Sequence, residues 1–215
     1  MADKAEPSFA KEYRNARKAF ITACGRAHGD SIARVHPTAL GPDGKPLFID
    51  SLALGSREAS KALLVITGCH GDDGLLGSQI LTSLLDSDVI PLAQTRLVLI
   101  HALNPHGFAW GRQANEDGFS LDDPAAGQSW SFTVLRAIAT EDLARTRKLR
   151  ILDIGQGQPS KVAEAPNYGP ARALKTLMPG LDLIAARLIL QPAHAGDLAE
   201  NVVAKSVVVR ALATL

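Results

Sequence analysis

Apolar positions recur along this chain in two rhythms, and their alternation predicts a sheet interleaved with helices. From residue 8 to 28, Phe9, Tyr13, Ala16, Phe20 and Ala23 or Cys24 fall on one face at helical spacing, with Ser8 placed to cap the helix. Two β-rich runs, Ser31 to His36 and Leu47 to Leu54, flank Gly41-Pro42-Asp43-Gly44-Lys45, whose turn chemistry predicts an antiparallel hairpin. Ala62 to Thr67 reads as a buried strand, Leu75 to Leu85 as a helix and Arg96 to Ala102 as the most strand-like run in the chain. A loop of about 25 residues follows, long enough to suggest function rather than mere connection. A helix over Ser131 to Thr146 then leads to a strand over Leu149 to Ile154.

Strands separated by helices in this order predict one α/β domain over residues 1–215, a three-layer sandwich whose central sheet is mainly parallel or mixed. Sites in such sheets lie at the carboxyl ends of the strands. His70, His101 and Gly155 would all lie on that edge. Beyond residue 158 the pattern is weaker. Ala171 to Met178 reads as helix, Leu183 to Leu190 fits strand or helix, and Val202 to Leu212 is ambiguous.

The strand ending at Thr67 runs into Gly68-Cys69-His70-Gly71-Asp72-Asp73-Gly74. His70 and Asp73 stand three apart, so an imidazole and a carboxylate can reach one cation from a single turn. The alternative is a strand-to-helix turn in which Asp72 or Asp73 caps the helix that follows. Cys69 reads as a small buried filler. The long loop carries Asn104-Pro105-His106-Gly107-Phe108-Ala109-Trp110-Gly111-Arg112-Gln113-Ala114-Asn115-Glu116-Asp117. Phe108 and Trp110 are read as anchors of the loop to the core, and His106 as a turn residue.

Charge and composition remove several classes of function. With 23 basic and 22 acidic residues the chain has no electrostatic footprint for nucleic acid or an anionic membrane. No apolar run reaches the roughly 18 residues of a membrane span, and the N-terminal stretch has no signal-peptide pattern, so the default expectation is a cytoplasmic protein. Two cysteines, Cys24 and Cys69, cannot build a disulfide framework. A small molecule or a peptide is the expected ligand, and oligomeric state is not readable.

Taken together, the Gly41-Pro42-Asp43-Gly44 turn, the His-Gly segment after a strand and the run His101-Ala102-Leu103-Asn104-Pro105 resemble the DUF2817 proteins. These are a branch of the zinc carboxypeptidase superfamily of M14 type, more distantly related to succinylglutamate desuccinylases and aspartoacylases. The resemblance covers about residues 8–123 and resumes over 130–157. It implies a zinc-carboxypeptidase-like fold and a hydrolase of peptide or N-acyl amino acid amide bonds. It further implies a zinc ion held by a His-x-x-Glu pair and a later histidine, and an Asn-Arg pair that grips a carboxylate.

This chain departs from each element of that pattern. His70 matches the first ligand, but Asp73 stands where the family has glutamate, one methylene shorter. Asn115-Glu116-Asp117 fits the approach to the substrate segment, and Arg112 matches the first residue of an arginine pair whose second member is Gln113. Arg112 could orient a carbonyl or carboxylate, or be a solvated loop residue paired with Glu116. Asp122 and Asp123 occupy the positions of the Asn-Arg clamp. Two anions there would repel a carboxylate by about 1 kcal/mol per pair at unscreened surface distances, and so select neutral or cationic ligands.

After Asp153 no register supplies the third histidine, leaving His194 as the only downstream substitute, and only residues 125–129 separate Pro124 from Trp130 where the family has several tens. No glutamate matches the general base. His101 is expected to hydrogen-bond within the structure rather than bind metal. Two readings remain: a shortened, degenerate relative with weakly held zinc and little or no peptidase activity, or an active zinc hydrolase with a non-standard third ligand.

Overall fold

A computed structural model describes residues 8–71, 74–86, 94–156, 161–165, 168–190, 206–208 and 210–211. Helix α1 (Ser8–Arg26) precedes the antiparallel pair β1 (Asp30–Leu40) and β2 (Pro46–Leu54). Their hairpin closes where Gly41 N–H donates to the Lys45 carbonyl, with Gly44 at φ 73°. Then come β3 (Lys61–Thr67), α2 (Gly74–Leu85), β4 (Thr95–His101), α3 (Pro105–Trp110), a 3-10 turn (Pro124–Gln128) and α4 (Trp130–Asp142). Strand β5 (Lys148–Gln156), β6 (Lys161–Glu164), α5 (Gly169–Leu177) and β7 (Asp182–Leu190) complete the sheet, in the order β1-β2-β4-β3-β5-β7-β6. Its centre, β4-β3-β5-β7, is parallel, and antiparallel strands flank it on both sides.

Period-two alternation divides each central strand between two cores. Ala62, Leu64, Ile66, Val98, Ile100 and Ile151 face α4 and α5 through Phe132, Leu135, Ile138 and Leu174. Leu63, Val65, Leu97, Leu99, Leu152 and Ile154 face α1 and α2 through Phe20, Ile80, Leu81 and Leu84. Each such side chain contributes about 1.5–3 kcal/mol on burial, so both helical layers are held by the sheet they cover. The α1 stripe is buried at Tyr13, Ala16, Phe20, Ala23 and Cys24, while Phe9 is exposed at its border. The Tyr13 hydroxyl donates to the Phe48 carbonyl and accepts from the Phe48 N–H, fixing α1 on β2. Burial pushes its phenol well above the ordinary range.

Two expectations, both on the long loop, are corrected, and elements left open beyond residue 158 take definite form. The long loop is partly ordered, holding α3 and the 3-10 turn. Asn104 caps α3 by accepting the Gly107 N–H, and Pro105 sits where a missing N–H costs nothing. His106 is therefore a helical residue rather than a turn residue. Residues 182–190 form a strand, the open alternative having been a helix, and β7 lies beside β5 with Arg187 opposite Asp153. Strand β6 has no counterpart in the expected elements. The described part of the stretch from Val202 to Leu212 is helical, and Val208 is buried in the α1-side core. No helix among the described residues is long and apolar enough to cross a membrane.

Candidate functional site

The sheet's register creates the site. Beyond the ends of β3 and β4 the chains stay paired, as Leu103 N–H donates to the Thr67 carbonyl and Asn104 N–H to that of Gly68. At Gly68, φ is 65° and a Cβ would lie 2.9 Å from the Ala102 Cα; at Gly71, φ is 74° and a Cβ would overlap the Arg112 carbonyl. Only glycine permits both conformation and approach, and the turn swings His70 over the carboxyl edge toward β5 and β7.

There His70 meets a guanidinium. Its Nε2 accepts a hydrogen bond from Arg187 Nη2 and lies 3.4 Å from Asp153 Oδ2 and 4.0 Å from Asp122 Oδ2. Because a guanidinium only donates, Nε2 is the acceptor and the neutral ring carries its proton on Nδ1. Arg187 also donates from Nε to Asp153 Oδ2 at 2.8 Å and from Nη2 to Asp122 Oδ2 at 3.3 Å, and lies 5.6 Å above the Tyr168 ring. Burial disfavours its charge, yet Asp153, Tyr168 and Asp122 together raise its pKa above the ordinary arginine value. Asp153 is 0% exposed. Beneath the cluster the Tyr168 hydroxyl meets Cys69 Sγ at 2.9 Å, and burial, reinforced by Asp153, pushes that phenol well up.

Asp122, Asp123 and Asn115 also have structural partners. Asp122 Oδ1 accepts the Gly169 N–H at 3.0 Å, and its carbonyl accepts Arg172 Nη2 at 2.7 Å. Asp123 turns away and accepts the Ala125 N–H, capping the 3-10 turn. The two carboxylates thus diverge and do not form a joint acidic wall. Asn115 is buried, and its Oδ1 takes the N–H groups of Asp117 at 3.1 Å and Phe119 at 2.9 Å, so it organises a turn.

Arg112 is exposed, with its guanidinium 5.5 Å from the Trp110 ring. Its expected partner Glu116 instead lies 3.2 Å from His36 Nε2, and despite burial His36 holds that carboxyl below its ordinary pKa. His101 is stacked on Phe20, ring centroids 5.1 Å apart, and neither ring nitrogen has a hydrogen-bond partner among the described residues, contrary to expectation. Asp73 and His194 lie outside the described residues.

Asn115→Ala should remove two hydrogen bonds from a buried turn and destabilise the protein by about 1–3 kcal/mol, read from its denaturant midpoint. The loss should come with no change in the Arg187 cluster, visible as an unchanged His70 imidazole resonance. A shifted His70 signal would mean that the turn also positions Asp122.

A zinc ion does not fit the residues described. His70 Nε2 is bonded to a cation, and Asp153 already partners that cation. Among the described residues no three His, Cys, Asp or Glu side chains gather as a metal set. Arg187, which the sequence reading passed over, stands where metal chemistry was expected. Its signal was a lone cation in the apolar run Asp182–Leu190, since a charge inside a sheet requires a partner.

The fold is that of metallocarboxypeptidases and their desuccinylase relatives. The Pseudomonas aeruginosa metallo-carboxypeptidase, solved with (2-guanidinoethylmercapto)succinic acid, matches over 94% of this chain and 68% of its own at TM-score 0.57 and 16% identity. The Chromobacterium violaceum succinylglutamate desuccinylase matches over 90% and 76% at TM-score 0.55 and 13% identity. A Shewanella amazonensis SB2B protein matches over 94% and 92% at TM-score 0.62 and 16% identity. Residues 9–122, more than half of the chain, match the model of DUF2817, a family described as a protein of unknown function, and the chain belongs to that family. No curated protein matches it.

Proposed function

We propose that this DUF2817 chain is a carboxypeptidase-like hydrolase relative in which the Arg187 guanidinium takes the place of a catalytic zinc, leaving it without metallopeptidase activity. The observation that carries this reading is the convergence of Arg187 with His70, Asp122 and Asp153 at the carboxyl edge of the sheet. A monovalent, permanently charged group there satisfies Asp153, Asp122 and the imidazole, but offers no open coordination position for water. What such a cluster supports is binding of a neutral or cationic small molecule or peptide, because among the described residues Arg187 is the one cation that faces its two carboxylates.

Elemental analysis of the purified chain, together with assays on C-terminal peptides and N-acyl amino acids, tests the proposal. Zinc well below one per chain and no hydrolysis are the expected results. One zinc retained through dialysis, lost in His70→Ala, and accompanied by hydrolysis would replace this reading by that of an active enzyme with a third ligand outside the described residues.

A further inference from the structure

A cavity of about 480 Å³ opens between α4, α5 and the 3-10 turn. Its size falls within the roughly 300–1,000 Å³ of small-molecule sites, and His70, Asp153 and Arg187 are not among its walls. Arg136 on α4 and Arg172 on α5 line it with one carboxylate, Asp123, and that carboxylate already takes the Ala125 N–H. Both guanidinium groups are half-buried and held by backbone carbonyls: Arg136 donates from Nη1 and Nη2 to Gly127 at 3.1 Å each, and Arg172 from Nη2 to Asp122 at 2.7 Å. The Gly127 carbonyl orients the Arg136 guanidinium without neutralising it. Among the described residues Arg136 has no carboxylate partner, while Phe132 and Leu177 supply an apolar wall beside it.

We propose that this cavity binds a compact anion, a carboxylate or phosphate, carried on a short apolar chain. Planar guanidinium forks match such heads bidentately, and two forks fixed in advance lose little freedom on binding. Leu177 and Phe132 take the chain, where each methylene buried adds roughly fourfold in affinity. The site is independent of the reading of the Arg187 cluster and needs no metal.

Calorimetric titration of the full chain with octanoate, octyl phosphate, octanol and octylammonium tests it. Saturable binding of one or both anions is expected, with octanol at least tenfold weaker and octylammonium inert; the tighter anion identifies the head group. Arg136→Gln should weaken the anions about tenfold, the worth of one charge-assisted hydrogen bond. Leu177 is 39% exposed, so its replacement leaves the fold intact. Leu177→Glu should abolish anion binding and Leu177→Lys strengthen it, a charge-reversal pattern that a purely structural role for the arginines would not produce. Absence of saturable anion binding, octanol binding equal to octanoate, or anion affinity unchanged in both Arg136→Gln and Leu177→Glu would overturn the proposal.

Discussion

Arg187→Ala should yield a protein that is less stable than the natural chain and that zinc, but not magnesium, stabilises. Asp153 is 0% exposed and would lose its bonded cation; breaking a buried pair from one side costs about 3–5 kcal/mol, with the lower end expected because Arg187 itself is 27% exposed. The same deletion frees His70 Nε2 and Asp153 Oδ2, now 3.4 Å apart, with Asp122 Oδ2 at 4.0 Å, to face a space the size of a guanidinium. In the natural chain a dication about 4 Å from Arg187 would meet a repulsion of about 8 kcal/mol at an effective dielectric of 20, which is enough to exclude it.

Once Arg187 is gone, zinc at a hundredfold excess over its Kd restores about 2.7 kcal/mol. For a chain of this length that corresponds to a rise of about 5–10 °C in Tm. Magnesium, which prefers octahedral oxygen sites, should leave the variant unchanged. Thermal unfolding with and without each metal decides the matter, and adding His70→Ala to the variant should abolish the zinc response. An equal zinc-induced rise in the natural chain would show that Arg187 does not keep metal out.

How far the residues revealed this in advance differed from element to element. The central strands were legible because both their faces are covered, so Ala62–Ile66 and Leu97–Ile100 read as continuous apolar runs and Leu149–Ile154 as an apolar run broken only by Arg150 and Asp153. Helix α3 was missed because six residues hold too few periods to register, although Asn104-Pro105 is a helix-start signal in plain view. The pair Asp122-Asp123 was read as one wall because sequence gives adjacency and not direction; one side chain folds toward Gly169 and Arg187, its neighbour toward Ala125. His70 was placed at the sheet edge correctly, since a buried strand followed by glycines leaves that residue little other place. Its partner could not be found by asking for a third histidine. Arg187 comes from a strand more than a hundred residues away, in a stretch whose exposure alternates too irregularly to reveal whether it is strand or helix.

Stability should fall as pH drops from 7.5 to 5, and His101 should account for most of the fall. Its ring is wholly enclosed, stacked on Phe20, and burial, aided by the nearby charge of Arg17, lowers its pKa from 6.5 to about 3. The one carboxylate within reach, Asp50 Oδ2 at 3.9 Å, is already bonded by Arg17 at 2.7 Å. Between about pH 3 and 6.5 the unfolded chain therefore binds a proton at His101 that the folded chain refuses. The stabilisation from keeping the ring neutral is complete above 6.5 and is lost on acidification at about 1.4 kcal/mol per pH unit, or about 2 kcal/mol by pH 5. Burial raises the pKa of Asp50, which has the opposite sign and offsets part of the fall equally in both proteins. Lowering of the His106 pKa by burial acts in the same direction as His101. His101→Phe keeps an aromatic ring against Phe20 and removes the proton site, so the difference between the two proteins isolates this group. Urea unfolding at pH 7.5, 6.5, 5.8 and 5 should give a line that falls for the natural chain and is nearly flat for the variant. Parallel lines would mean that the folded protein accepts the proton on His101, with Asp50 leaving Arg17 to meet it.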